Sequence, residues 1–141
     1  YGAAARGGGT RADVIISEKK IFFPNSTQTG VLICLTQEAY NKFGSVLRPG
    51  GILITDKRFV QTGRMLDARQ IELDVYNTVM ETIGKPVVFN IAILGALLGI
   101  YPVVKTESVS KILQTKFPGS FHADNARAFD VGLELGSKHR D

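Results

Sequence analysis

Residues 31–56 read VLICLTQEAYNKFGSVLRPGGILITD, and their pattern changes twice. Val31 to Leu35 is a continuous apolar run, the pattern of a parallel strand covered on both faces. From Gln37 to Leu47 the period becomes helical: Ala39, Tyr40, Phe43, Val46 and Leu47 fall at i, i+1, i+4, i+7 and i+8, one buried stripe. Glu38 and Lys42 form an i, i+4 pair on the other side. Pro49-Gly50-Gly51 stops the helix, and Ile52-Leu53-Ile54-Thr55 is the next strand. Strand–helix–strand units close right-handed in nearly all proteins. The segment therefore sets an α/β class.

Upstream, Tyr1 to Thr10 is a glycine-rich loop, and Arg11 to Ser17 leads into a strand centred on Val14-Ile15-Ile16. A turn at Glu18-Lys19-Lys20 and a second β-type run, Ile21-Phe22-Phe23, complete a hairpin ended by Pro24. Part of the sheet is thus expected to be antiparallel, and the sheet mixed. Downstream, Gln70 to Val75 alternates as a strand. Thr78 and Glu81 have capping-box spacing for a short helix that Gly84 closes. Pro86 suits the first turn of the next helix, on which Ala92, Gly95, Ala96 and Gly99 share one face, a packing stripe. Thr106 is positioned to cap a helix whose inner face is Val109, Ile112, Leu113 and Phe117, ended by Pro118-Gly119. A last helix, from about Asp124 to Leu135, carries Ala126, Phe129 and Leu133 inward.

With 141 residues the chain fits one domain, 1–141, around one core. Its 44% hydrophobic and 21% charged residues are those of a globular protein. Lys and Arg outnumber Asp and Glu by 17 to 13, a formal charge of +4 that favours anionic ligands such as nucleotides and phosphates. No basic run with interleaved aromatics argues for nucleic acid. The single cysteine, Cys34, sits inside an apolar strand. It can form no internal disulfide and cannot hold an iron–sulfur cluster, which usually takes four cysteines. A reducing cytoplasm is the expected location. The apolar stretch Val87 to Val104 is interrupted by Asn90 and Pro102 and flanked by Lys85 and Lys105. It reaches at most the ~20 residues a spanning helix needs and reads as a buried helix. The start at Tyr1 in a glycine loop, with no initiator Met, suggests that a natural N-terminal segment precedes it.

Ligands of open α/β sheets gather beyond the carboxyl ends of the strands. Two strands run there into polar residues, Thr36-Gln37 and Thr55-Asp56-Lys57-Arg58. Thr36 either lines that crevice or caps the following helix; Lys57 and Arg58 either meet an anion or are simply solvated. The loop Arg6-Gly7-Gly8-Gly9-Thr10-Arg11 can turn successive N–H groups into one concavity, with guanidinium groups beside it, a composition suited to phosphate or carboxylate. It matches neither the phosphate-binding loop nor the dinucleotide fingerprint. His122 and His139 lie far from Cys34 in sequence. The chain offers no metal-ligand spacing and no Gly-x-Ser-x-Gly elbow. Such a chain has no evident nucleophile, metal or redox group of its own.

Residues Tyr1-Gly2-Ala3-Ala4-Ala5-Arg6-Gly7-Gly8-Gly9-Thr10-Arg11-Ala12-Asp13-Val14-Ile15-Ile16-Ser17 resemble the segment YGPEARGGxSRAxVxIS of the gamma subunit of 2-oxoacid:ferredoxin oxidoreductases. Four more blocks agree in order: Leu35-Thr36-Gln37-Glu38-Ala39, Pro49-Gly50-Gly51-Ile52-Leu53-Ile54, the helix Asn90 to Gly99, and the closing helix Asn125 to Gly132. On general likeness the 2-oxoglutarate type is preferred over the pyruvate, branched-chain and indolepyruvate types. The resemblance implies a Rossmann-like three-layer α/β/α domain in a complex that oxidatively decarboxylates a 2-oxoacid, forms an acyl-coenzyme A, and passes electrons to ferredoxin or another acceptor. It implies that thiamine diphosphate with Mg and the iron–sulfur clusters belong to partner alpha, beta and, where present, delta subunits. This chain then holds none alone, but packs against them and helps to bind coenzyme A. On that basis Arg6, Gly7, Gly8, Gly9 and Thr10 are expected to face the coenzyme A side, with Thr36, Gln37, Lys57 and Arg58 lining the adjacent crevice. Two departures stand out. The family's first strand, GxGGQG loop and helix are missing, and Ala3-Ala4 replace its common Pro-Glu. A purely structural subunit and a free-standing nucleotide-binding module are the competing expectations.

Overall fold

The computed structural model describes residues 11–14, 16, 20, 29–63 and 66–140. The glycine loop at 1–10, Ile15 and most of the expected hairpin, including Ile21-Phe22-Phe23, lie outside the described residues. Three strands, β1 (Thr29–Cys34), β2 (Leu47–Asp56) and β3 (Ala68–Leu73), form a sheet of order β1-β2-β3 in which both pairings are parallel. Helix α1 (Gln37–Phe43) connects β1 to β2, and α2 (Val75–Thr82), α3 (Phe89–Ile100), α4 (Thr106–Lys116) and α5 (His122–Ser137) follow β3.

Alternate strand residues feed two cores. Ile54, Ile71 and Leu73 meet α2, α3 and α5 through Val75, Val79, Ala92, Ala96 and Phe129. Cys34, Tyr40, Leu47, Leu53 and Val60 fill the other face, under α1. A sheet covered on both sides is why its strands read as unbroken apolar runs. This is the α/β class expected. The antiparallel part of a mixed sheet is not seen among the described residues. Arg11 to Val14 and Ile16 carry no strand, and Val14 and Ile16 are exposed. β-branched residues form strands where neighbours pack against them, and among the described residues nothing covers these two.

The junction between α1 and β2 differs from the sequence reading. The helix stops at Phe43, a 3-10 turn spans Gly44–Val46, and Leu47 already belongs to β2. Pro49-Gly50-Gly51 does not precede the strand but lies within it. The register jumps there, pairing Thr29 with Leu47 and Val31 with Ile52. Gly50 takes φ +76, which glycine adopts without strain. A bulge bends a strand without ending it, and Pro is tolerated at such a site.

Helix α3 is apolar all round, and eight of its twelve residues are buried. Its small-residue stripe packs as expected, and α5 supplies a matching one. A Cβ at Gly95 would stand 2.3 Å from the Phe129 carbonyl oxygen, and one at Gly132 would stand 1.8 Å from that of Ala92. No described helix is long and apolar enough to cross a membrane.

Other helix details shift. Asp74, not Thr78, is the N-cap of α2, and Thr78 instead donates to the Asp74 carbonyl at 2.6 Å. Gly84 does close that helix, at φ +78. Lys105, not Thr106, is the N-cap of α4. Only Leu113 of the expected inner face of α4 is buried, while Ile112 and Phe117 are exposed. On α5, Phe129 is buried but Ala126 is exposed, because the helix turns Asn125, Ala128, Gly132 and Gly136 toward its neighbours.

Candidate functional site

The carboxyl ends of all three parallel strands form one edge. β1 runs into Thr36 and Gln37, β2 into Lys57 and Arg58, and β3 into Asp74. Asp56, the last residue of β2, organises this edge. Its side chain is fully buried, and Oδ1 accepts the Arg58 N–H at 2.9 Å while Oδ2 accepts the Tyr76 N–H at 2.8 Å. Tyr76 is the second residue of α2, so Asp56 satisfies a first-turn donor that the helix itself cannot. A carboxylate at a helix N-terminus also meets a favourable dipole. The backbone continues the same fastening: Lys57 N–H donates to the Leu73 carbonyl at 2.9 Å, and Phe59 and Val60 N–H to that of Asp56.

Lys57 and Arg58 are thereby projected from a fixed turn. Lys57 Nζ stands 4.0 Å from Asp74 Oδ2, with both side chains well exposed, a weak pair. The Arg58 guanidinium lies 5.3 Å from the Tyr76 ring centroid, a cation–π contact. Tyr76 belongs to an aromatic triangle with Phe59 at 5.0 Å and Phe89 at 5.4 Å, closed by Phe59–Phe89 at 5.8 Å.

On the β1 side, the two expected crevice residues have structural duties. Thr36 Oγ1 accepts the Ala39 N–H at 3.1 Å, a side-chain N-cap of α1. Gln37 Oε1 accepts the Gln61 N–H at 2.7 Å, while its Nε2 donates to the Gln61 carbonyl and to Asn41 Oδ1, each at 3.2 Å. One amide thus clasps both polar groups of one backbone residue. Thr36, Gln37, Lys57 and Arg58 do sit along the same edge, but Gln37 is turned to the Gln61 segment and Arg58 to α2. Arg6, Gly7, Gly8, Gly9 and Thr10 lie outside the described residues; Arg11, just after them, reaches the Phe43 ring at 5.1 Å. The sequence placed Asp56 among the polar residues at the strand end but gave it no role, its one signal being an acid that closes an apolar strand ahead of two basic residues.

Cys34 is buried, and desolvation pushes its thiol pKa above the ordinary value of 9.0, making it a poor nucleophile. His122 Nε2 is engaged with the Phe117 carbonyl oxygen at 2.8 Å. Among the described residues no group of three or more His, Cys, Asp or Glu could hold a metal ion. The described residues, with one cysteine, offer no four thiolates for an iron–sulfur cluster.

The sequence pattern of the pyruvate ferredoxin/flavodoxin oxidoreductases matches residues 1–135. The chain belongs to that family. Within the oxidoreductase family it is 33% identical to the 2-oxoglutarate synthase subunit KorC of Methanocaldococcus jannaschii, over 98% of this chain and 75% of the relative. Among solved structures it is similar to the gamma subunit of a keto/oxoacid ferredoxin oxidoreductase from Geobacter sulfurreducens. That likeness has a TM-score of 0.73 and 30% identity, covering 77% of this chain and 64% of that one. The fold also recurs, at 19% identity and TM-score 0.74, in 22% of a Magnetococcus marinus 2-oxoglutarate:ferredoxin oxidoreductase chain, covering 86% of this one. By family membership the chain is a subunit of a 2-oxoacid:ferredoxin oxidoreductase, an oxidoreductase that works with other subunits.

Proposed function

We propose that the chain is the gamma-type subunit of a cytoplasmic complex that oxidatively decarboxylates 2-oxoglutarate, and that its strand-end edge takes part in binding coenzyme A. The observation that carries the coenzyme A assignment is the basic pair Lys57 and Arg58, projected beyond the central strand from a turn fixed by Asp56. A guanidinium fork matches phosphate oxygens, and a Lys adds a compact charge beside it. Arg58 rests on Tyr76 and Lys57 on a weak contact to Asp74, so neither must break a strong ion pair to meet a phosphate. The glycine-rich composition of Arg6, Gly7, Gly8, Gly9 and Thr10, suited to phosphate, brings them into the same proposal. Thr36 and Gln37 border the site through the bonds already described.

Thiamine diphosphate, Mg and the iron–sulfur clusters are assigned to alpha, beta and any delta subunits. One buried cysteine cannot furnish four thiolates. This subunit's share is to hold and orient the acyl acceptor; electrons pass to ferredoxin, or another acceptor, through its partners.

The test is steady-state kinetics of the assembled complex carrying Lys57→Ala with Arg58→Ala. The coenzyme A KM is expected to rise roughly fivefold or more, the 2-oxoglutarate KM staying unchanged, since exposed charge contacts contribute up to about 1 kcal/mol each. An unchanged coenzyme A KM removes the pair from the site. It would favour a purely structural subunit, a reading supported by the capping of α1 by Thr36 and the clasp of Gln37 on Gln61.

A further inference from the structure

We propose that the outward face of α4, together with the cleft at its end, is the docking surface for a partner subunit that presents apolar side chains ringed by carboxylates. Helix α4 is anchored by Leu113, its one buried residue, with half-buried Val109 packed against the same core. Beside Leu113, the positions Lys105, Val109, Ile112 and Lys116 recur at i, i+4, i+7 and i+11, which places them along one side of the helix. Val109 is half-buried, and Ile112 is 56% exposed. The connection into α4 adds exposed Tyr101, Val103 and Val104. At the other end, exposed Val87, Phe117 and Phe121 rim a cleft of about 190 Å³, whose lining includes Val88, Ile91 and Asn125.

Two further observations say what covers this face. Lys105, Lys111 and Lys116 are exposed and make no ion pair with any described residue. Asn125 is only 3% exposed, yet its Nδ2 has no hydrogen-bond partner. An apolar centre with unpaired cations at its rim calls for the reverse arrangement opposite it: an apolar side chain, carboxylates facing Lys105 and Lys116, and an acceptor oxygen over Asn125. A second copy of this chain fits poorly, because a two-fold contact would set the same lysines against one another. None of these residues is one of those assigned to the proposed coenzyme A site.

The test is titration of the purified chain into its partner subunits, purified together without it, comparing the natural chain with Ile112→Glu and with Lys105→Glu plus Lys116→Glu. Thermal melts of the isolated variants should match the natural chain, since all three side chains are exposed. Both variants should raise the assembly Kd roughly tenfold or more, and the loss caused by the lysine pair should shrink at high salt. An assembly Kd within twofold of the natural value for both variants overturns the proposal. So does concentration-dependent dimerisation of the isolated chain that Ile112→Glu abolishes while the partner Kd stays unchanged, which would make a second copy the occupant.

Discussion

At the scale of single residues, Asp56 carries more of the site than the basic pair beside it. Its two oxygens answer N–H groups from two elements, and removing them leaves both donors unpaired in a partly buried place. Asp56→Ala should cost about 2–4 kcal/mol, read as a fall in the urea midpoint. Cys34 supplies a prediction of opposite chemistry. Its folded pKa lies above the ordinary 9.0 because burial disfavours the thiolate. The folded protein then holds its proton more tightly than the unfolded chain. That stability is fully present below pH 9 and is lost as pH rises from there toward the folded value. Cys34→Ala should therefore show a shallower alkaline decline in unfolding midpoint than the natural chain, measured between about pH 8 and 10.5. The burial of Cys34 was legible from its apolar neighbours. The role of Asp56 was not, because its partner Tyr76 lies twenty positions away and only the closed sheet brings them together.

At the scale of elements, α3 and α5 meet through backbone. Gly132→Ala would set a methyl 1.8 Å from a main-chain oxygen that belongs to another helix and cannot swing aside. Overpacking of this kind should destabilise by at least about 3 kcal/mol, seen in a thermal melt. Gly63→Ala, where an added Cβ meets nothing within 4 Å, should lie within about 0.5 kcal/mol of the natural chain. The α3 half of this contact was readable as a stripe of small residues at helical spacing. The faces of α4 and the boundary of α1 were not. Periodicity marks which residues share a side of a helix, but not whether anything stands opposite: Ile112 keeps the spacing of an inner residue while facing away from the core. Pro49-Gly50-Gly51 carries the composition of a stop signal. The parallel partner strand and a positive φ at Gly50 convert it into a bulge.

At the scale of the whole molecule, the α/β class and the two-sided cover of the sheet were legible from Val31–Leu35 and Ile52–Thr55 alone. The strand order was not, because β2 and β3 pair in parallel through a connection with no helix among its described residues. The net charge is only +4, so the proposed anion site would depend on local placement more than on the overall field. Accordingly, the coenzyme A KM should climb with ionic strength in the natural complex, and more shallowly with Lys57 and Arg58 both replaced by Ala. That slope, measured from about 0.05 to 0.3 M salt, separates an electrostatic contact from lost packing. The interleaved glycines of α3 and α5 have one more consequence. Gly95 and Gly99, like Gly132 and Gly136, repeat every four residues, so a sliding helix would find its next fit only after about 6 Å of travel. Intermediate positions jam side chains into carbonyls. The two helices are keyed like a spline in its slot, so any displacement of one should carry the other with it.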